Sequence, residues 1–157
     1  MNAHGPAPLV LFADFDGVVA RSVYGARAEE RLVPEQVRRL DTIVARSGSL
    51  VVVSSSWREV ASPEMLTGWL GGAGFSGRVY DVTPIHAPCG SGFADPTIRT
   101  KEIEAWLAAQ AVPPARYVVL DDVRVHGRVG RNLVLTNERV GLTDADVARA
   151  LAILGVC

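Results

Sequence analysis

Three short runs of this sequence are apolar at every position, and each is followed by polar residues. They are Leu9–Ala13, Leu50–Val53 and Tyr117–Leu120. A strand that faces solvent on one side alternates apolar and polar residues, so runs without alternation predict strands buried on both faces. Amphipathic segments with helical spacing lie between the runs, for example Pro34–Arg46. Strands alternating with helices predict an α/β fold in which helices cover both faces of a mainly parallel sheet.

Weaker patterns complete the predicted sheet and its helices. The further elements are strands Val79–Val82 and Leu133–Leu135 and helices Glu59–Leu70, Thr97–Ala109 and Thr143–Leu154. The first of these helices is expected mainly in its second half, where Pro63 would start or restart it. Two segments, Gly17–Val33 and Thr83–Asp95, follow neither period. Loops of this length are uncommon in small domains and often serve as lids or binding loops. We therefore expect one or both of them to border a site.

The three strongest strands all end in groups that suit phosphate or a metal ion. Asp14 and Asp16 follow the first strand, Ser54–Ser56 the second, and Asp121 with Asp122 the third. Each group alone is a common cap or turn residue. The carboxyl ends of parallel strands, however, share one edge of the sheet, and ligands bind at that edge. The sequence therefore predicts that these residues, distant along the chain, converge on one site.

The first acidic pair suggests a cation. Asp14 and Asp16 are two residues apart, so a regular strand would direct both carboxylates to one face. Two carboxylates in that position repel each other, which raises the pKa of one of them, and a divalent cation relieves the repulsion. Mg²⁺ prefers a few carboxylates together with waters and phosphate oxygens. Gly17 allows a tight turn beside them. The alternative is a cap or turn with two solvated acids.

The serine triplet and a later helix start offer groups that would bind an anion. If the second strand lies beside the first, a serine hydroxyl and the N–H groups after it face the acids. Ser55 is the first choice, with Ser54 and Ser56 left open and a simple helix cap as the alternative. Arg99 and Lys101 lie in the first turn of a predicted helix, where a cation opposes the helix dipole. Binding of a ligand anion by one of the two side chains would explain a cation at this position. The alternative is that both side chains are solvated in the first turn.

Charge and composition narrow the classes of function. A net charge of −1 argues against broad electrostatic capture of nucleic acid or of an anionic membrane. The two cysteines cannot form a dense disulfide framework, and no apolar run approaches the roughly 20 residues of a membrane span. We expect one domain over residues 9–157 after a disordered tail over residues 1–8 that is no signal peptide. The expected location is cytoplasmic, without membrane contact.

Taken in order, these motifs resemble those of the haloacid dehalogenase-like (HAD) hydrolase superfamily. The matching residues are Asp-Phe-Asp-Gly-Val at 14–18, Ser54–Ser56, a basic residue at 99 or 101, and Asp-Asp at 121–122. The resemblance spans Leu9 to about Leu135. It looks closest to the small HAD phosphatase domains of polynucleotide-repair proteins, through the segments Val53–Arg58, Arg99–Leu107 and Tyr117–Asp122. It implies a Rossmann-like three-layer sandwich with a minimal cap or none.

The resemblance implies a Mg²⁺-dependent phosphatase. Asp14 would attack phosphorus and become an aspartyl-phosphate, and Asp16 would protonate the leaving oxygen and then activate water. The phosphoryl group would be bound by Ser55 or Ser54 and by Arg99 or Lys101. The Mg²⁺ ligands would be Asp14, Asp16 through its main-chain carbonyl, Asp121 and Asp122. This short list suffices because phosphoryl transfer depends mainly on positioning and charge stabilisation.

The same resemblance leaves the substrate open. Gly17–Val33 would form a flap over the site, and the lack of a large cap favours large substrates. A phosphorylated small molecule and a phosphorylated nucleic-acid end both remain candidates, and the oligomeric state is not predicted. Arg58 and His126 are weaker candidates for substrate contact, and His86 with Cys89 lacks the second pair that a zinc site needs.

Two non-enzymatic alternatives accompany the phosphatase hypothesis. One is a receiver-like signalling module that keeps its phosphate, although the serine after the second strand, where a receiver has an acid, counts against it. The other is a catalytically silent HAD scaffold that binds a partner. Turnover of a phosphorylated compound, and its loss when Asp14 is replaced, distinguishes the enzyme from both.

Overall fold

A five-stranded, all-parallel sheet forms the centre of the computed structural model, which describes residues 5–87 and 95–157. The strands are β1 (Leu9–Ala13), β2 (Leu50–Val53), β3 (Val79–Val82), β4 (Arg116–Asp121) and β5 (Leu133–Leu135). They lie in the order β3-β2-β1-β4-β5. Because β1, β2 and β4 are flanked on both sides, their apolar runs are almost fully buried.

Helices cover the two faces of the sheet. They are α1 (Ala28–Arg31), α2 (Pro34–Ser47), α3 (Pro63–Gly72), α4 (Ile98–Ala108), α5 (Gly127–Gly130) and α6 (Asp144–Leu154), with a 3-10 turn at Ser56–Glu59. One face packs against α2, α3 and α6, and the other against α4 and α5. The predicted α/β three-layer sandwich is thus confirmed. In the described part of the chain, no helix combines the length and apolar character that crossing a bilayer requires.

Local sequence explains where the longer helices begin and end. The Ser62 hydroxyl accepts the Met65 N–H at the start of α3, and Thr143 and Asp146 form a capping box at the start of α6. Gly48 ends α2 with a φ of 67°, which an L-residue rarely adopts. Caps of this kind stabilise a helix by about 1 kcal/mol each. They fix the lengths of the connections that lead to and from the sheet.

The strand order reverses direction between β1 and β4. The chain runs outward from β1 through β2 to β3 on one side and from β4 to β5 on the other. In open α/β sheets this reversal opens a crevice at the carboxyl ends of the two central strands, where ligands bind. Receiver domains place their third strand beside the first, so the order seen here argues against a receiver-like module.

Four polar residues continue the paired strands as one row. Asp14 follows Ala13, which pairs with Val53 and with Leu120, so Ser54 and Asp121 occupy matching positions on the neighbouring strands. Thr83 extends the row beyond β3, because its N–H donates to the carbonyl of Val53 at 3.0 Å. Side chains alternate along a strand, and the row falls on the face that packs against α4. The sheet itself therefore aligns these groups.

The segment between β1 and α2 folds back on itself. Arg21 N–H donates to the Arg31 carbonyl and Val33 N–H to the Val19 carbonyl, both at 2.9 Å. It contains only the short helix α1 and builds no separate cap domain. The other predicted loop, Thr83–Asp95, lies partly outside the described residues, as do Cys89 and part of the predicted tail over residues 1–8.

Candidate active site

Three carboxylates converge where the strand order reverses. Asp14, Asp121 and Asp122 each offer an oxygen, and these atoms lie within 4.8 Å of one another. Asp14 is 5% exposed and Asp121 is fully buried. Buried carboxylates at this spacing are unfavourable unless a cation or a proton compensates them. Asp14 and the acid pair, over a hundred residues apart in sequence, thus meet as predicted.

Gly17 makes room for this cluster. Its φ is 76°, and a Cβ at this position would lie 2.4 Å from a carboxylate oxygen of Asp122. Thr136 fixes the same turn by donating its hydroxyl to the Gly17 carbonyl at 2.8 Å. Any side chain at position 17 would strain the backbone and displace Asp122. The glycine of the first motif therefore serves the approach of two chain segments.

The proximity of the acids changes their ionisation. Burial, together with the neighbouring Asp14 carboxylate, raises the pKa of Asp121 to about 8. Burial and Asp14 also raise the pKa of Asp122, to about 6. The Arg99 guanidinium acts in the opposite direction on Asp121 but does not outweigh these effects. The cluster without a bound cation therefore holds negative charge poorly.

Arg99 and Lys101 point to different surroundings. One Arg99 Nη lies 2.8 Å from an Asp121 oxygen and 3.3 Å from an Asp14 oxygen. Lys101 pairs instead with Asp95 at 3.1 Å, in a contact where both side chains are about half exposed. The two positions are separated by two residues, which on a helix places them on different faces. Arg99 is thus the cation of this helix that reaches the acids.

Asp16 does not share the environment of Asp14. The strand ends at Ala13, so Asp16 lies in the turn that follows, and its carboxylate is bound by Arg31 and by the Trp57 indole N–H. It does not belong to the carboxylate cluster. The expectation that both side chains share one face holds only for a regular strand, and the turn separates them.

The hydroxyl groups of Ser54 and Ser55 have different surroundings. The Ser55 hydroxyl accepts the Trp57 N–H at 3.3 Å and caps the 3-10 turn, as the simple-cap alternative expects. Ser54 lies in the row beside Asp14, and Ser54 Oγ and Thr83 Oγ1 are the buried side-chain atoms in the described residues that lack a hydrogen-bond partner. Unpaired buried hydroxyls cost about 1–3 kcal/mol each. Ser54 therefore has unused hydrogen-bonding capacity beside Asp14.

Arg58 lies behind the site and has no donor left for a ligand. Its guanidinium pairs with Glu102 at 2.6 Å, and both side chains are 3% exposed. Its other N–H groups donate to the carbonyls of Ser54, Ser55, Thr83 and Pro84. Arginine has five N–H donors in total, and these five acceptors use all of them. Arg58 thus joins the ends of β2 and β3 to α4.

Three residues bind or support residues of the site through contacts that the sequence did not predict. Arg31 and Trp57 hold Asp16, and Glu102 pairs with Arg58 while accepting the His86 N–H at 3.0 Å. Glu102 lies three residues after Arg99, on the same helix face, which was a usable signal. Nothing in the local sequence linked Arg31 or Trp57 to Asp16. His126 is exposed, and its backbone N–H donates to the Thr100 hydroxyl.

The family described as "HAD domain in Swiss Army Knife RNA repair proteins" matches residues 10–147. The chain belongs to this family. The match covers the acids described above and every strand except Leu9, the first residue of β1, and it confirms the resemblance to small HAD domains of polynucleotide-repair proteins. Among curated proteins, none matches the sequence. In this HAD-type hydrolase domain, the first HAD motif lies at Asp14–Val18 and the acid pair of the last motif at Asp121 and Asp122.

Proposed function

We propose that this HAD domain is a Mg²⁺-dependent phosphomonoester hydrolase that acts through an aspartyl-phosphate on Asp14. The observation that carries the proposal is the cluster of Asp14, Asp121 and Asp122 oxygens within 4.8 Å, with Arg99 bridging two of the acids. The cluster lies at the reversal of the strand order, where a phosphate would have access to it. The test is release of phosphate from a generic aryl phosphate in the presence of Mg²⁺.

The residues of the cluster fit a magnesium site. All of the donors are carboxylate oxygens, which Mg²⁺ prefers, and their number leaves coordination positions for waters and a phosphate oxygen. Asp14, Asp121 and Asp122 would hold the ion, with the Asp16 main-chain carbonyl as the further ligand that the family resemblance implies. When bound, Mg²⁺ would neutralise charge on the phosphoryl oxygens.

The chain's own residues account for the chemical steps. A carboxylate oxygen of Asp14 attacks phosphorus, the bond from phosphorus to the leaving oxygen breaks, and the Asp16 carboxyl group gives that oxygen its proton. In the second step a water attacks phosphorus while Asp16 takes a proton from it. The bond from phosphorus to Asp14 then breaks, which restores the Asp14 carboxylate and releases phosphate. Covalent catalysis of this kind divides one difficult displacement into two easier ones.

Arg99 and Ser54 are the groups that we assign to the phosphoryl group. Arg99 already contacts Asp14, so its guanidinium would neutralise charge on an oxygen attached to the attacked phosphorus. Ser54 is preferred to Ser55 because it lies in the row beside Asp14 and its hydroxyl is unpaired, whereas the Ser55 hydroxyl caps the 3-10 turn. Since Ser54 is fully buried, a small movement of the covering side chains would be required.

We propose a phosphorylated nucleic-acid end, rather than a free small molecule, as the substrate. The name of the family refers to RNA repair, and the loops that follow the acids carry exposed arginines, among them Arg21, Arg27 and Arg124. Arginines on such loops would bind backbone phosphates near the reacting end. An RNA oligonucleotide with a terminal phosphate should therefore be hydrolysed with a higher kcat/KM than the matching mononucleotide. Equal values for the two would favour a small-molecule substrate.

Replacing Arg99 and Lys101 in turn should separate the two cations. We expect Arg99→Gln to lower kcat/KM by about 100- to 1,000-fold, the loss typical of one preorganised charge-stabilising group. Lys101→Gln should change it by less than about threefold, because this exposed side chain pairs with Asp95 and not with the acids. Steady-state kinetics on one aryl phosphate suffices. A larger loss at Lys101 than at Arg99 would show that the cations are assigned in the wrong order.

Binding of Mg²⁺ should stabilise the fold through the acid cluster. An ion that binds only the folded chain adds about 2.7 kcal/mol at 100 times its Kd, which for a domain of this size raises Tm by roughly 5–10 °C. We expect Asp121→Asn to remove most of this Mg²⁺-induced shift, and Asp144→Asn, an exposed acid at the start of α6, to retain it. Thermal melts with and without Mg²⁺ measure both. An equal shift in the two variants would place the ion elsewhere.

A further inference from the structure

Both oxygens of the Asp16 carboxylate are bound by side chains from other segments. The Arg31 guanidinium pairs with Oδ1, and the Trp57 indole N–H donates to Oδ2 at 3.0 Å. Asp16 is therefore not a free side chain in a turn, although about a third of it is exposed. A carboxyl group that must deliver a proton to one particular oxygen benefits from such restraint, because misplacement by about 1 Å costs roughly 100-fold in rate.

The two residues that bind Asp16 are themselves fixed. Arg31 Nε donates to the Arg21 carbonyl at 2.9 Å, and its guanidinium carbon lies 4.9 Å from the centre of the Trp57 ring. Trp57 is 5% exposed and packs edge-on against Phe15 and Trp69 at 5.0 and 6.1 Å. Stacking of a guanidinium on an aromatic face is favourable. The group formed by Arg31 and Trp57, here named the Asp16 clamp, thus ties the flap segment to the acid.

We propose that Arg31 and Trp57 are positioning residues that hold the Asp16 carboxyl group for proton transfer to the leaving oxygen. This inference rests on the proposed phosphatase function. In the first step the clamp acts through Asp16 alone: the proton moves from Asp16 to the leaving oxygen as its bond to phosphorus breaks. Arg31 and Trp57 donate to Asp16 and not to the carboxylate cluster, so binding of the phosphoryl group and attack by Asp14 do not depend on them.

The clamp should therefore matter in proportion to how much the leaving oxygen needs a proton. A nitrophenolate leaves readily as an anion, whereas an alkoxide must be protonated as it leaves. General acid catalysis contributes about 10²–10⁴-fold where it is needed. Loss of the clamp should slow alkyl phosphates strongly and nitrophenyl phosphate weakly. A residue that binds the phosphoryl group instead would slow both equally, since both carry the same group.

The experiment compares kcat/KM for p-nitrophenyl phosphate and for glycerol phosphate in one preparation of each variant. The ratio of the two kcat/KM values does not depend on the folded fraction, so it can be interpreted even for a partly unfolded variant. We expect Arg31→Gln to lower the ratio for glycerol phosphate over nitrophenyl phosphate by at least tenfold, Trp57→Phe to lower it by less, and Asp16→Asn to lower it most. Arg31→Gln added to Asp16→Asn should change the ratio no further, because the positioned group is already lost.

Arg39→Gln is the matched control. Arg39 is an ion-paired arginine of similar exposure, but its partners are Glu35 and Asp144 on α2 and α6. It should leave the ratio unchanged. Equal losses on both substrates in Arg31→Gln would overturn the clamp alone and leave the phosphatase proposal standing. Failure of the wild-type protein to release phosphate from these two compounds and from an RNA oligonucleotide with a terminal phosphate, all with Mg²⁺, would overturn the phosphatase proposal and the clamp with it.

Discussion

Replacement of Asp14 by asparagine is expected to lower phosphate release by about 10⁴-fold or more, the loss typical of removing a covalent nucleophile. Asparagine has almost the same shape, so the fold should remain, but its amide cannot attack phosphorus. The measurement is phosphate release from an aryl phosphate with Mg²⁺, with the wild-type protein in parallel. Rapid quenching followed by mass spectrometry should also find a phosphoryl group on the wild-type peptide that contains Asp14.

Asp144→Asn serves as the control for this loss. Asp144 is an acid of α6 that pairs with Arg39 and has no contact with the cluster. Its replacement should leave turnover near the wild-type value. Activity in Asp14→Asn equal to that of the wild type would rule out Asp14 as the nucleophile. Binding of Mg²⁺ and of a phosphorylated compound without any turnover would instead favour the catalytically silent HAD-fold module.

Breaking the buried pair of Arg58 and Glu102 should have the largest effect on stability. Removing one partner of a buried ion pair costs about 3–5 kcal/mol, because the other charge is left in a poorly solvating interior. Arg58→Met would also remove the side-chain donor from the carbonyls of Ser54, Thr83 and Pro84, whereas the Ser55 carbonyl keeps the backbone N–H of residue 58. Since small domains are stable by only about 5–15 kcal/mol, the variant should be close to unfolding. Urea denaturation measures the difference, with Glu102→Gln as a less disruptive companion variant.

An exposed pair provides the comparison. Lys101→Ala breaks its contact with Asp95, where both side chains are about half exposed, and should cost at most about 1 kcal/mol. A double replacement of Arg58 and Glu102 by methionine removes both charges but still leaves three carbonyls without the donors that Arg58 supplied, so it should not restore wild-type stability. A loss below about 1 kcal/mol in Arg58→Met would contradict the role assigned to this pair.

Much of the fold followed from patterns that are local in sequence. Runs without alternation placed β1, β2 and β4 almost to the residue, because burial on both faces leaves no room for polar positions, and weaker patterns placed β3 and β5. Pro34 and the capping pair of Thr143 and Asp146 placed the starts of α2 and α6. The two four-residue helices, α1 and α5, were not predicted, since one turn carries too little periodicity. Convergence of Asp14 with the later acid pair followed from the rule that parallel strands share one carboxyl edge.

The directions of the site's side chains could not be predicted in the same way. Asp16 separates from Asp14 because the backbone turns after Ala13, and the spacing of the two acids does not reveal the path of that turn. Arg58 looked available to a substrate, but its five acceptors come from segments up to 44 residues away, among them Glu102. Such contacts depend on how the loops pack after the sheet has formed. The sequence thus predicted which edge of the sheet holds the site and which acids lie there. The contacts between side chains depend on packing and could not be predicted.

The proposed mechanism depends most on one ion being shared by acids from opposite halves of the chain. Mn²⁺ occupies the same octahedral oxygen sites as Mg²⁺ and can be located in crystals by its anomalous scattering. We expect one peak bonded at about 2.1 Å to an oxygen of Asp14 and to an oxygen of Asp121. A peak that contacts only one of these two acids, or a saturated crystal with no peak between them, would contradict the account.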